Sequence, residues 1–136
     1  DGLSRRLSYL RDRVHILDGI DGVYADLLPE PDERITLIMI DTFRYGAQGP
    51  LLARFARERG VDVVIFADEF CDWATGITPH VLRYPAETRF VLSLPLGITT
   101  GLTLLLQDVA AALGDAALQR IAKLSDAQEH FGLFLE

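Results

Sequence analysis

The sequence predicts an α/β domain in which a parallel sheet has helices on both faces. Two apolar segments, residues 35–40 and 61–66, have the length and composition of strands that are buried on both sides. Between them, residues 50–60 carry apolar side chains at helical spacing, so the three segments form one βαβ unit. Alternation of such strands with helices is typical of this class, because the helical crossovers cover the sheet.

The segments before this unit predict a helix, a short strand and a turn-rich region. Leucines recur at helical spacing among arginines over residues 2–13, which indicates an amphipathic helix. Residues 14–17 predict a short strand, and residues 24–28 a short helix that Pro29 ends. A doubly wound domain ordinarily begins with a strand, so the leading helix indicates a sequence that starts partway through its fold, truncated at the N-terminus.

The elements of the βαβ unit and those after it follow from local signals. Pro50 suits the first turn of the helix between the strands, and Gly60 suits the position just past its end. Residues 80–84 predict a further strand, residues 95–113 a long apolar helix, and residues 115–124 a last helix.

Composition limits the classes of function. A chain of 136 residues with 49% hydrophobic content suits one domain. Thirteen basic and twenty acidic side chains give a net charge of −7, which disfavours a DNA-binding surface because phosphate neutralisation requires clustered Lys and Arg. Cys71 is the single cysteine and cannot form an internal disulfide, and no apolar run approaches the roughly 20 residues of a membrane span. We therefore expect a cytoplasmic protein without a membrane segment.

The loop after the first strand of the βαβ unit is the expected ligand site, because the carboxyl ends of parallel strands open onto the binding crevice. This loop covers residues 41–48. Nearby carboxylates could serve a magnesium ion, which needs only one or two of them plus waters. They are Asp41, Asp68, Glu69 and Asp72. Their spacing matches no defined metal motif, so we interpret the last three as a solvated turn and predict no metal and no cofactor. Trp73 is interpreted as a core or dimer contact.

Five segments, in order along the chain, carry a family signal. They are residues 11–19, Ile40-Asp41 followed by Phe43-Arg44-Tyr45, the helix end at residues 56–61, the Ala67-Asp68 turn, and residues 90–93 at the entry to the apolar helix. Together they resemble the sugar isomerase (SIS) domain, flavodoxin-like in fold, of RpiR/MurR-type bacterial transcription regulators. The resemblance implies that residues 1–136 are an SIS-type ligand-binding domain without the family's N-terminal helix-turn-helix domain and first SIS strand.

The resemblance also implies a role in transcription regulation. In this family the helix-turn-helix domain binds DNA, and the SIS domain senses a sugar phosphate or a related metabolite. We therefore expect an effector-sensing and oligomerising domain, a dimer or tetramer. Its effector would be a sugar phosphate or a sugar acid-like molecule, and it would contact DNA only through the helix-turn-helix domain that this sequence lacks.

The loop at residues 41–46 departs from the family pattern. Phosphosugar-binding SIS domains carry Ser-x-Ser-Gly-x-Thr there, and the corresponding positions in this chain are Asp41, Phe43, Arg44 and Gly46. Asp41 would repel a phosphate dianion, since like charges ~4 Å apart cost about 4 kcal/mol at an effective dielectric of 20. Arg44 could clamp one anionic group. We therefore expect a ligand with hydroxyls or an amine for Asp41 and one anionic group for Arg44, and a hexose phosphate in the usual pose is disfavoured.

The predicted ligand-binding residues are on this loop and at the start of the late helix. They are Asp41, Thr42, Arg44, Tyr45, Gly46 and Ser93. Three of them also have a structural interpretation: Asp41 as a helix cap or a partner of Arg44, Tyr45 as a packing residue, and Ser93 as a helix cap.

An enzyme and a structural module are the alternative functions. SIS domains also form aldose–ketose sugar-phosphate isomerases, which require a positioned base, and Glu69, Glu87 and His80 are the nearby candidates. Without the phosphate-holding serines the substrate would lack its anchor, so we predict no catalytic residues and no enzyme activity. A ligand-free dimerisation module is the second alternative. A receiver domain would need a lysine at a strand end, and the only lysine, Lys123, lies in a predicted helix.

Overall fold

The computed structural model describes residues 2–17, 24–42, 45–85 and 96–132. Within these ranges the helices and strands are α1 (Gly2–Leu10), β1 (Thr36–Asp41), α2 (Gly49–Glu58), β2 (Asp62–Asp68), β3 (Val81–Tyr84), α3 (Leu96–Leu113) and α4 (Asp115–His130). Short 3-10 turns lie at Ala25–Leu27 and Ala74–Gly76. The chain divides into two units, a sheet unit (Leu17–Gly101) and a helical unit (Asp1–Ile16 with Leu102–Glu136).

Among the described residues, the sheet has three parallel strands in the order β1-β2-β3. At its carboxyl edge, Asp41 of β1 pairs with Ala67 of β2, and Asp68 of β2 pairs with Tyr84 of β3. The parallel α/β sheet expected from the sequence is confirmed. Because the strands run in one direction, their last residues, Asp41, Asp68 and Tyr84, lie along the same edge.

The core of the sheet unit lies between β2 and α2. Its fully buried residues from these two elements are Ala53, Ala56, Val63, Ile65 and Ala67. The two alanines let the helix backbone approach the sheet closely, and the β-branched strand residues pack against it. Gly60 follows the helix with φ 78°, the left-handed conformation that commonly ends a helix.

On the opposite face of the sheet, three side chains from neighbouring strands lie in a row. Phe66 of β2 is buried, and it pairs with Ile40 on one side and Leu82 on the other. A β-carbon at Gly101 would lie 3.5 Å from Phe66 Cε1, so α3 approaches this ring closely. Ile40 is 47% exposed and Leu82 is 40% exposed, so the cover on this face is partial.

The segment at residues 14–17 is not a strand, and the prediction of one there is wrong. A strand needs a hydrogen-bonding neighbour, and within the described ranges β1 pairs with β2 alone. Leu17 instead packs against the core of the sheet unit. Arg13 has φ 52°, a left-handed conformation that interrupts both a helix and a strand, and α1 ends at Leu10 instead of residue 13.

The helical unit contains α1, the second part of α3 and α4. Leu7 and Ala117 are buried, and Arg120 Nε donates a hydrogen bond of 2.8 Å to the Ser8 carbonyl oxygen, which joins α4 to α1. Gly114, with φ 54°, separates α3 from α4. An open groove of about 370 Å³ in this unit has a largely apolar lining that includes Leu10, Leu106, Ala110, Ile121 and Leu124.

Helix α3 is the most apolar of the helices in the described part of the chain. Its 18 residues have a mean hydropathy of 1.5 and only 6% of them are buried, so by length and composition alone it could cross a membrane. One such helix is weak evidence, because apolar helices of soluble proteins meet the same criterion. Eighteen residues rise about 27 Å, slightly less than the ~30 Å hydrocarbon core of a bilayer.

Candidate functional site

The candidate site lies at the carboxyl edge of the sheet, where the three strands end. Asp41, Asp68 and Tyr84 are the last residues of β1, β2 and β3, and Trp73 lies between β2 and β3. Each has a buried polar atom without a hydrogen-bond partner among the residues that the structure describes. These atoms are Asp41 Oδ2, Asp68 Oδ2, Trp73 Nε1 and Tyr84 Oη. Buried polar atoms are nearly always hydrogen-bonded, so four of them at one sheet edge indicate a place where a polar molecule binds.

Asp68 is the most deeply buried of these side chains, with 0% exposure. Its Oδ1 accepts hydrogen bonds from the Tyr45 hydroxyl and, at 3.0 Å, from the Phe70 N–H. Arg83 Nη1 donates to the Asp68 backbone carbonyl at 3.0 Å, which holds the strand end without reaching the carboxylate. A buried carboxylate that is satisfied on one oxygen only is costly, which favours a ligand with a donor for Oδ2.

Asp41 lies beside the N-terminus of α2. Gly49 is the first residue of this helix, and a β-carbon there would lie 3.1 Å from Asp41 Oδ2 and 3.5 Å from Trp73 Cζ2. Glycine thus leaves space between the carboxylate and the indole ring. Burial raises the pKa of Asp41 above its ordinary value of 3.8, the Gly46 backbone amide lowers it in part, and the charge of Asp68 raises it further.

Two tyrosine side chains lie beside the carboxylates. Loss of hydration, together with the hydrogen bond to Asp68, raises the pKa of Tyr45 above its ordinary value of 10.0. Burial raises the pKa of Tyr84 as well, and the charges of Asp68, Asp41 and Glu69 add to this effect. Both phenols therefore stay protonated at neutral pH, and the surroundings of Tyr84 are strongly negative.

The structure places four of the six predicted ligand-binding residues at or next to this edge. Asp41 ends β1, Thr42 follows it, and Tyr45 reaches Asp68 through its hydroxyl. The backbone amide of Gly46 is close enough to Asp41 to lower the pKa of its carboxyl group. Arg44 and Ser93 lie outside the described residues.

Sequence reasoning missed Asp68 and Tyr84 as members of the site. The interpretation of Asp68 as part of a solvated turn is wrong, because its side chain is fully buried, and Tyr84 received no role. Trp73 packs against the core of the sheet unit, which confirms its interpretation as a core contact, and its unpartnered indole nitrogen adds it to the site. The strand-end rule that selected Asp41 applies equally to Asp68 and Tyr84, so it was the signal that could have found them. Within the described ranges no group of three or more His, Cys, Asp or Glu side chains is arranged to hold a metal ion.

The fold has a counterpart among solved structures. It is similar to the crystal structure of the sugar isomerase domain of an RpiR transcription factor from Sphaerobacter thermophilus, with a TM-score of 0.74 and 23% sequence identity. The match covers 92% of this chain and 70% of that chain. The chain has the sugar isomerase fold. No protein-family model and no curated protein matches the sequence, and at this identity the SIS likeness concerns the fold alone.

Proposed function

We propose that this chain is the effector-sensing domain of a bacterial transcription regulator of the RpiR type, acting in the cytoplasm. The similarity in fold to the SIS domain of such a factor supports the regulatory role. The observation that carries the sensing role is the group of four buried, unpartnered polar atoms at the carboxyl edge of the sheet, counted among the described residues. Such a group of unpartnered donors and acceptors suits a small polar metabolite.

The effector would be a sugar phosphate, a sugar acid or a related polar metabolite bound at the loop of residues 41–46. Asp41 begins this loop at the end of β1, and Tyr45 contacts Asp68 from it. Arg44 and Ser93 are proposed as further contacts. Because the carboxylates oppose an anion by about 4 kcal/mol per like charge at ~4 Å, any phosphate would depend on Arg44 for compensation.

Sensing fits the described residues better than isomerisation does. An isomerase needs a base held against the carbon acid of its substrate. Of the three predicted candidates, Glu69 and His80 are exposed, and Glu87 lies outside the described ranges. A sensor needs only to bind its effector more tightly in one conformational state than in another. The effector would then shift the packing of protomers in a dimer or tetramer, and an attached DNA-binding domain would respond to that shift. The net charge of −7 is consistent with DNA contact through another domain.

The test is a thermal-shift panel of sugars, sugar phosphates and sugar acids on the full chain. A ligand that binds the native state adds about 2.7 kcal/mol of stability at a hundred times its Kd, which raises Tm measurably. We expect at least one class to raise Tm, and Asp41→Ala to abolish the shift while Asp72→Ala, on an exposed residue of the next turn, retains it. If no compound changes Tm, a ligand-free dimerisation module becomes the better description.

A further inference from the structure

We infer that the effector carries a protonated amine and that the amine binds between the Asp41 and Asp68 carboxylates. This inference rests on the proposed sensing function and specifies the chemistry of its ligand. It depends on three features of the carboxyl edge of the sheet: two unpartnered carboxylate oxygens, the local charge, and two unpartnered side-chain donors.

The first feature is the pair of unpartnered oxygens, Asp41 Oδ2 and Asp68 Oδ2. Both are buried acceptors without a donor among the described residues, and Asp68 is fully buried. An ammonium group has three N–H donors and a full positive charge, so it suits a place where two carboxylates influence each other and each has an unpartnered oxygen. Such charge-assisted hydrogen bonds are roughly twice as strong as those that a neutral hydroxyl donates.

The second feature is the excess of negative charge. Asp41, Asp68 and Glu69 all act on the Tyr84 hydroxyl and disfavour its ionisation. Arg83 is the cation that contacts this edge within the described ranges, and its Nη1 donates to the backbone carbonyls of Asp68 and Glu69 at 3.0 and 3.5 Å. The carboxylate pair therefore attracts a cation at this position and repels a phosphate.

The third feature defines what surrounds the amine. Trp73 Nε1 is a donor without an acceptor, and the Tyr84 hydroxyl, protonated at neutral pH, can donate as well. Acceptor oxygens on the ligand, next to its amine, would satisfy both groups. The chemistry that complements the site is thus a small amine-bearing polyol with no phosphate between the two carboxylates.

The experiment compares matched sugars that differ in one group, glucosamine against glucose and galactosamine against galactose, with glucose 6-phosphate as the anionic probe. Trp73 is the single tryptophan of the sequence, so its fluorescence reports binding at the site directly. At mildly acidic pH, where the amines are protonated, we expect each amino sugar to bind at least about tenfold more tightly than its neutral partner.

Two variants assign the preference to the carboxylates. Asp41→Asn and Asp68→Asn keep the side-chain shape and remove one charge each, and each should weaken glucosamine binding by about tenfold or more while glucose changes little. Asp72→Asn removes a charge from the exposed turn and should change neither affinity. Thermal melts confirm that each variant is folded.

The outcomes separate this inference from the proposed function. Equal binding of amino and neutral sugars, or tighter binding of glucose 6-phosphate, overturns the amine and leaves the sensing function standing. Undiminished glucosamine binding by both Asp→Asn variants has the same consequence. If none of the sugars, amino sugars or sugar phosphates binds, the sensing function fails and the inference fails with it.

Discussion

Replacement of Gly49 by alanine should separate the stability of the fold from the binding of a ligand. Gly49 opens α2, where alanine is favoured over glycine by up to about 1 kcal/mol. The new methyl group would lie 3.1 Å from Asp41 Oδ2, closer than most such contacts, so the carboxylate must move by a few tenths of an ångström. The methyl carbon would also lie 3.5 Å from Trp73 Cζ2 and would fill the space beside the indole ring.

The two effects have different magnitudes. Helix preference and the contact with Asp41 oppose each other, so the free energy of unfolding should change by less than about 1 kcal/mol. Loss of a charge-assisted hydrogen bond between Asp41 and a ligand is worth about 1.5–3 kcal/mol, which corresponds to binding that is roughly ten to a hundred times weaker. Urea denaturation measures the first quantity, and titration of Trp73 fluorescence with a sugar that binds the wild-type chain measures the second.

Gly76→Ala is the matched control. A β-carbon at Gly76 meets nothing within 4 Å, and this residue lies in the same segment as Trp73, between β2 and β3. It should leave both quantities unchanged. Binding by Gly49→Ala that is within twofold of wild type would refute the reasoning, because the space beside Asp41 would then not belong to the ligand. A loss of more than about 2 kcal/mol in stability would instead mean that the fold itself requires that space.

Two further substitutions test the support of the site and its electrostatics. Thr78 is buried, donates to the Val63 carbonyl at 2.7 Å and accepts from the His80 N–H at 3.2 Å; Thr78→Val should therefore cost about 1–3 kcal/mol in urea denaturation, and Thr78→Ser, which keeps the hydroxyl, should cost less. The opposite order would assign the role of Thr78 to its methyl group. Because the pKa of Asp41 is raised above 3.8, the folded state binds its proton more tightly than the unfolded chain does, so its contribution to stability falls as pH rises above 3.8. Asp41→Asn should accordingly raise the free energy of unfolding at neutral pH, with a gain that disappears below pH 3.8, and a gain that persists in acid would contradict this account.

The elements whose signals are local could be predicted from the sequence. The apolar runs gave β1 and β2, and Pro50 and Gly60 placed the ends of the helix between them. Residues 14–17 have the composition of a strand, but a strand also needs a neighbour, and pairing depends on parts of the chain far away in sequence. Composition alone therefore predicted a strand that the fold does not contain.

Of the candidate site, only the residues at and just after the end of β1 could be predicted from the sequence. Asp41 follows an apolar run and is followed by an unusual loop, so the strand-end rule selected it together with Tyr45. Asp68 stands before Glu69 in an acidic turn, and acidic turns are ordinarily solvated. Its burial depends on packing of the fold, and of its two donors only the Phe70 N–H is local, whereas the Tyr45 hydroxyl comes from 23 residues away in sequence. No local pattern carries that information.

The hydrogen bond from Tyr45 to Asp68 has a consequence for the rate at which a ligand exchanges. It ties Tyr45 to the end of β2, so the Tyr45 side chain forms part of the wall around the buried carboxylate. Tyr45 binds Oδ1 of Asp68, and the unpartnered oxygen is Oδ2, so only a ligand that entered past the Tyr45 ring would have to displace it, both on entry and on exit. Association would then be gated by a loop motion, slower than simple diffusional encounter, and a bound effector would have a long residence time.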